Sequence, residues 1–265
     1  MFGMVQTLVQ PDSLIYAYAA RMWYDARTIS GVDGSGVDFI PNRSGTGNFL
    51  TQSVTARKPI LKHGIAGAGD LIRFAAGHAL RTPNNADLSD LTGLTYFIVG
   101  SVSIDVNEGG AGQTVQFEIN SGGAQPGAIT LFRNVTNKAN FFSKLTGVTA
   151  SATLARNVSC NAQTKDKITA YAVVNNYSGS TAAQQLSHYS TITSSFTTVQ
   201  SGVQVLAPQT FTNPTSYRMT LGGLAPESPA MLGDNVHFFI IPRVLTQTEI
   251  TTVFSALKDI HGSLT

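Results

Sequence analysis

From Gln113 to Asn120 the chain alternates, with Val115, Phe117 and Ile119 on one parity and Gln116, Glu118 and Asn120 on the other. A period of two predicts a half-buried antiparallel strand. Tyr217-Arg218-Met219-Thr220-Leu221 repeats the pattern. Residues 95–105 (TYFIVGSVSID), 168–174 (ITAYAVV) and 236–241 (VHFFII) are apolar at both parities, which predicts central strands covered on both faces. The runs are separated by "NEGGAGQ", "NSGGAQPG", "NNYSGSTA" and "LGGLAPESP", clusters that supply tight reversals. Many short strands with turn signals between them predict an all-β antiparallel sandwich or jelly roll.

Two segments depart from the two-residue period. Ser13 to Trp23 (SLIYAYAARMW) is rich in alanine and aromatics and reads as a short helix. Near the C-terminus, Thr246 and Glu249 have capping-box spacing, in which the threonine oxygen accepts from the third amide and the glutamate reaches back. Ile250, Val253, Phe254, Leu257 and Ile260 follow at helical spacing, and Gly262 supplies a stop. This predicts one C-terminal α-helix of about four turns lying on the sandwich. We expect residues 1–20 to form an N-terminal arm with its short helix, and residues 21–265 to form a single jelly-roll domain.

Composition narrows the possible partners. Charged residues are 12% of the chain, about half the usual share, and Ser, Thr, Asn, Gln and Gly carry the polarity instead. A formal net charge of +2, without a basic stripe, argues against nucleic acid. No apolar run is long enough to span a membrane, and MFGMVQTLVQPDS lacks the basic start of a secretory signal. Cys160 is the only cysteine, so an intramolecular disulfide and a CxxC motif are both excluded.

Four stretches together carry a family likeness. They are "MWYDA" (22–26), "PNRSGTGNFLTQSVTARKPIL" (41–61), "GAGDLIRFAAGHALRT" (67–82) and "GDNVHFFIIPRVLTQTEITTVFSALKDIHG" (233–262). They resemble, in order, the opening W-x-D-A, the S-G-x-G-N segment, a following strand pair and the closing R-x-L-T-x-x-E helix of the concanavalin A-like lectin/glucanase superfamily. The likeness is to its laminin-G-like form, common in bacteriophage structural proteins. Two positions depart from the pattern: Phe39-Ile40-Pro41-Asn42 stands where the family has W-x-D, and His237 stands where an acid is common. The resemblance implies a concanavalin A-like sandwich and makes Trp23 a packing residue.

A phosphate cradle needs a glycine loop running into a helix with a Lys-Ser/Thr pair. Ser44-Gly45-Thr46-Gly47-Asn48 runs instead into β-rich sequence, so it reads as a reversal. Retaining glucanases of the resembled fold carry clustered acids, and their mechanism needs two carboxylates about 5 Å apart. Only Glu108, Glu118 and Glu227 precede Glu249, and none lies in such a cluster. Asp105 and Glu108 differ in parity, so a regular strand sends them to opposite faces. The reading is therefore non-enzymatic. A Tyr- or His-based lyase has no spacing that identifies it. His63, His78, His188, His237 and His261 lack metal spacing and read as loop or hydrogen-bonded edge residues.

No cofactor is expected. The one candidate is calcium, because Asp105, Asn107 and Glu108 in "DVNEGGAGQ" offer oxygens. Gly109 and Gln116 occupy positions where ligands belong, and a Gly-rich hairpin is the simpler reading. Lectins of the resembled fold bind sugar through loop amides and aromatics. Asn175, Asn176 and Tyr177 in "VVNNYSGS" offer that combination, although a plain hairpin loop accounts for them equally.

The expected function is that of a bacteriophage virion structural protein, as capsid decoration, head fibre or tail accessory protein. Its partners would be other virion proteins, copies of itself in a homo-oligomer, and host-surface polysaccharide. Its uncharged opening MFGMVQTLV would pair with a neighbouring subunit, and its place would be the particle exterior. A carbohydrate-binding module is the alternative, and a polysaccharide-degrading enzyme a more distant one.

Overall fold

The computed structural model describes residues 11–65, 69–75, 77–83, 92–102, 114–120, 129–133, 138–143, 156–162, 168–176, 186–190, 218–222, 233–262 and 264. In chain order the elements are α1 (Pro11–Ala17), β1 (Met22–Asp25), β2 (Phe39–Ile40), β3 (Leu50–Thr51), β4 (Ile60–Ile65), β5 (Gly69–Phe74) and β6 (Leu80–Arg81). They continue with β7 (Gly93–Val102), β8 (Thr114–Asn120), β9 (Ile129–Arg133), β10 (Lys138–Ser143), β11 (Arg156–Ala162) and β12 (Thr169–Asn176). The chain closes with β13 (Leu186–Ser190), β14 (Arg218–Leu221), β15 (Gly233–Ile241) and α2 (Gln247–His261). Short 3₁₀ turns lie at Ala26–Thr28 and Thr55–Arg57. No described helix is long and apolar enough to cross a membrane.

The strands form two sheets, and every described pairing is antiparallel. One has seven strands in the order β13-β12-β7-β15-β5-β4, with β1 also on β15. The other has eight, in the order β11-β10-β9-β8-β14-β6-β3-β2. The all-β sandwich with one C-terminal helix expected from the sequence is the fold observed.

The doubly apolar runs are central strands because the first sheet is covered twice. Leu94, Tyr96 and Ile98 of β7 join Tyr171, Val173, Phe238 and Ile240 in the core between the sheets. Their alternates Phe97, Val99, Ala170, Ala172, Phe239 and Ile241 enter a second core beneath the helices, with Ile250, Val253 and Leu257 of α2. Two cores cover both parities, and every residue of β15 is buried, the polar Asp234, Asn235 and His237 included.

Helix α2 carries both reciprocal bonds of the capping box. Thr246 N donates to Glu249 Oε2 at 2.7 Å and Glu249 N to Thr246 Oγ1 at 3.3 Å. Gly262 ends the helix at φ +67°, its amide donating to Lys258 O.

The helix expected over Ser13 to Trp23 is shorter, and this is a correction. It ends at Ala17, Ala19 takes a positive φ of 53°, and Met22–Asp25 is a strand. Pairing decides the matter, because β1 completes the edge of β15 with Trp23 opposite Phe239. Local alanine propensity is worth only about 0.5 kcal/mol per residue and does not compete with a ladder and a buried tryptophan. A further irregularity is the bulge in β15, where the register steps from Asn235 opposite Gly100 to His237 opposite Val99. Gly100 is needed there, since a Cβ would lie 2.3 Å from Asp234 O.

Candidate functional site

The densest polar constellation grows from the four residues of β1. Alternation sends Met22 and Tyr24 into the core between the sheets and Trp23 toward the helices. Asp25 shares the parity of Trp23, so the W-x-D spacing sets an indole and a carboxylate on one face. Arg27 grips Asp25 with Nε at 3.0 Å from Oδ1 and Nη2 at 2.5 Å from Oδ2. Arg43 Nη1 reaches Oδ2 at 2.5 Å. The same two guanidiniums each bind Asp12 at 2.9 Å, Arg27 through Oδ1 and Arg43 through Oδ2. Two acids and two arginines thus close a ring joining α1, β1, the first 3₁₀ turn and the loop after β2. Arg43 also stacks over Trp23, 4.1 Å from the ring centroid.

Burial works against ionisation of Asp25. The nearby His237 ring and the bonds and charge of Arg27 outweigh it and bring the carboxyl down to about 2. Asp25 therefore remains a carboxylate at neutral pH.

The glycine stretch after β2 is the clasp on this unit. Asn42 Oδ1 accepts from Trp23 N at 2.9 Å and from Ser44 N at 3.1 Å, while Nδ2 donates to Arg21 O. The hydroxyls of Ser44 and Thr46 both donate to Arg21 O, at 2.6 and 2.8 Å. Gly45 takes φ +81° to make the reversal. The hydroxyls that resemble a phosphate cradle are bound to Arg21 O, just before β1, instead.

Below Trp23 lies a histidine chain. Trp23 Nε1 donates to His237 Nε2 at 2.5 Å, so the neutral His237 ring carries its proton on Nδ1. That nitrogen lies 3.2 Å from His261 Nε2, in the last turn of α2, and donates to it. Burial pushes His237 down to about 3, which keeps the ring neutral. Both rings are buried. The expectation of loop or edge histidines is corrected for these two: they pin the helix to the sheet. Helical spacing alone could have flagged His261, which follows Leu257 by four residues on the buried face.

The sequence-predicted site residues fall as follows. Asn175 and Asn176 belong to strand β12 rather than to a loop, paired with Leu94 and Gly93. Asn175 is 1% exposed, whereas Asn176 is half-buried at the strand end. Tyr177 lies outside the described residues, as do Asp105, Asn107 and Glu108. Among the described residues no group of three or more His, Cys, Asp or Glu side chains is placed to hold a metal ion.

Among the described residues, two surface recesses lie near these elements. One, of about 390 Å³, lies by Tyr16, Arg21, Trp23, Ser44, Thr46 and Pro242. The other, of about 340 Å³, is lined by Thr28, Ser30, Ser35, Asp38, Phe39 and Pro41 among others. Sequence reasoning met Phe39 only as a departure from the family pattern. The usable signal was the pair of doublets Phe39-Ile40 and Phe49-Leu50, in each of which a buried aliphatic residue adjoins an exposed ring.

Neither a protein-family model nor a curated protein sequence matches this chain. Solved structures do match in fold. The botulinum neurotoxin serotype D ligand-binding domain, in complex with N-acetylneuraminic acid, aligns with a TM-score of 0.63 at 8% identity over 92% of this chain. A botulinum neurotoxin type C structure, from work on cell entry through two ganglioside molecules, aligns with a TM-score of 0.57 at 11% identity over 90% of this chain. A GH54 α-L-arabinofuranosidase soaked with a cyclic sulfate inhibitor aligns with a TM-score of 0.55 at 10% identity, covering 95% of this chain and 65% of that one. This chain spans about half the length of the two toxin structures, 52% and 51%.

Proposed function

We propose that this chain is a non-enzymatic, lectin-like binding domain that serves as a displayed structural protein of a bacteriophage particle and contacts host-surface glycans. The observation that carries the non-catalytic half is the engagement of four described acids by arginines. Asp12 and Asp25 are closed onto Arg27 and Arg43, Asp234 is held by Arg73 at 2.8 Å, and Glu249 is held by Arg243 and its own helix cap. A general acid must hold a proton near neutral pH, and Asp25 at about 2 does not.

The lectin-like half draws support from neighbours whose described ligands are a sialic acid and gangliosides. The particle half draws on the laminin-G-like resemblance of the opening W-x-D-A, the S-G-x-G-N segment and the closing helix. Homo-oligomerisation and contact with other virion proteins belong to the same reading.

Screening the purified chain against immobilised bacterial surface polysaccharides and defined glycans tests the binding half. Saturable binding is expected, and a flat array would remove that half. Antibody labelling of intact particles tests the other half. Labelling of the exterior is expected, along with its loss when residues 1–12 are deleted. The arabinofuranosidase likeness supports a hydrolytic reading, so arabinan incubated with the chain is the direct check, with no release of reducing ends expected.

A further inference from the structure

We propose that the outer edge of the eight-stranded sheet carries a binding site for a neutral pyranoside, centred on Phe39 and Phe49. This rests on the lectin-like reading and gives it a place and a sugar class. In the β2–β3 ladder Ile40 pairs with Leu50, and both side chains are buried between the sheets. Phe39 therefore turns to the outer face and is 48% exposed, and Phe49, just before β3, is 38% exposed. The two rings lie 5.4 Å apart with their planes at 39°. They stand at the end of the sheet, on its last strand and beside the next. The two rings lie beside core-anchored residues and belong to neither buried core.

The 340 Å³ recess adjoins Phe39 and supplies the complementary chemistry. A pyranoside has an apolar C–H face, which lies against an aromatic ring, and a rim of hydroxyls, which need donors and acceptors. Ser30 and Ser35 bring hydroxyls to the recess, and Asp38 brings a carboxylate able to accept from two neighbouring sugar hydroxyls. The recess lies within the volume range of small-ligand pockets, about 300–1,000 Å³.

Charge selects the sugar class. Asp38 is 66% exposed, and Lys58 Nζ meets only its Oδ2, at 3.2 Å. The guanidiniums of Arg27 and Arg43, which would suit a sugar carboxylate, are closed onto Asp12 and Asp25. The Asp38–Lys58 pair leaves the recess without the surplus positive charge that a sialic or uronic acid needs, whereas a neutral hexose needs none. The 390 Å³ recess is the weaker candidate, because its Ser44 and Thr46 hydroxyls already donate to Arg21 O.

The test is an array of neutral gluco-, galacto- and manno-oligosaccharides beside sialylated and uronic-acid glycans. It is probed with the full chain, with Phe39→Ala, Phe49→Ala and Asp38→Asn, and with Val244→Ala as a surface control on the linker before α2. Binding to neutral glycans is expected, falling about tenfold for each phenylalanine variant and about fivefold for Asp38→Asn. Val244→Ala should bind as the parent does, and thermal melting should be unchanged throughout. Neutral binding retained by all three variants overturns this site and leaves the lectin-like reading standing. Binding confined to acidic glycans overturns the sugar class, and a blank array overturns both readings.

Discussion

The segment Met22–Asp25 and the edge around Phe39 and Phe49 begin from the same local rule and end in opposite roles. Each is a short strand at the margin of a sheet, and each turns an aliphatic side chain toward the core between the sheets. At β1 the other face is roofed by the helices, so Trp23 is fully buried and Asp25 must be neutralised by two arginines. At β2 no described element covers the outer face, and Phe39 stands in water beside an acid and two hydroxyls. Polar chemistry under the roof is tied up in holding the fold, whereas polar chemistry outside it is available to a ligand.

Substitutions on the two sides should therefore separate stability from binding. The largest expected effect is at Asp25→Ala, which leaves Arg27 and Arg43 without their shared buried partner. A loss of about 3–5 kcal/mol in urea unfolding is expected, and a loss below about 1 kcal/mol would mean that the ring of charges is ornamental.

Acid should loosen the same region. His237 titrates at about 3 in the fold, below its ordinary 6.5, so the unfolded chain takes up the proton first. Stability from this group is full above pH 6.5 and falls as pH drops toward 3. Asp25 adds loss in the same sense between 3.8 and about 2. Between roughly pH 6.5 and 4 the histidine contribution amounts to about 3 kcal/mol. Melting curves across that window should show the slope, and His237→Gln should flatten it.

The helix that roofs the sheet gives a smaller effect. Thr246→Ala removes the cap and should cost about 1 kcal/mol, seen as a lower melting temperature without any change in pH slope. Least of all, Phe39→Ala should alter stability by no more than about 0.5 kcal/mol. A larger loss would place Phe39 with the packed residues, and the contrast between the two edges would fail.

Much of the architecture was legible along the chain. The alternation before Asn120, the continuous apolar runs and the Thr246–Glu249 box correspond to β8, to β7, β12 and β15, and to α2. The chosen site residues were less legible. Asn175 looked like a loop amide because of the Gly/Ser cluster beyond it, yet the ladder with β7 continues through Asn176. Tyr177, Asp105, Asn107 and Glu108 lie outside the described residues. The histidine pair had no sequence signature, since His237 and His261 stand 24 residues apart on different elements.

The order of hydrophobic and polar positions was enough by itself to determine which segments become strands, which becomes the final helix, and that they enclose an antiparallel sandwich. Those choices depend on burial within a few neighbouring residues, which periodicity records. Tertiary structure alone decided that Trp23 lies in a strand, that Asp25 meets two arginines, that two histidines are hydrogen-bonded under the helix, and that Phe39 and Phe49 stay outside. Each of these depends on which layer covers a given face, and coverage is set by contacts between residues far apart in the chain, which no local pattern encodes.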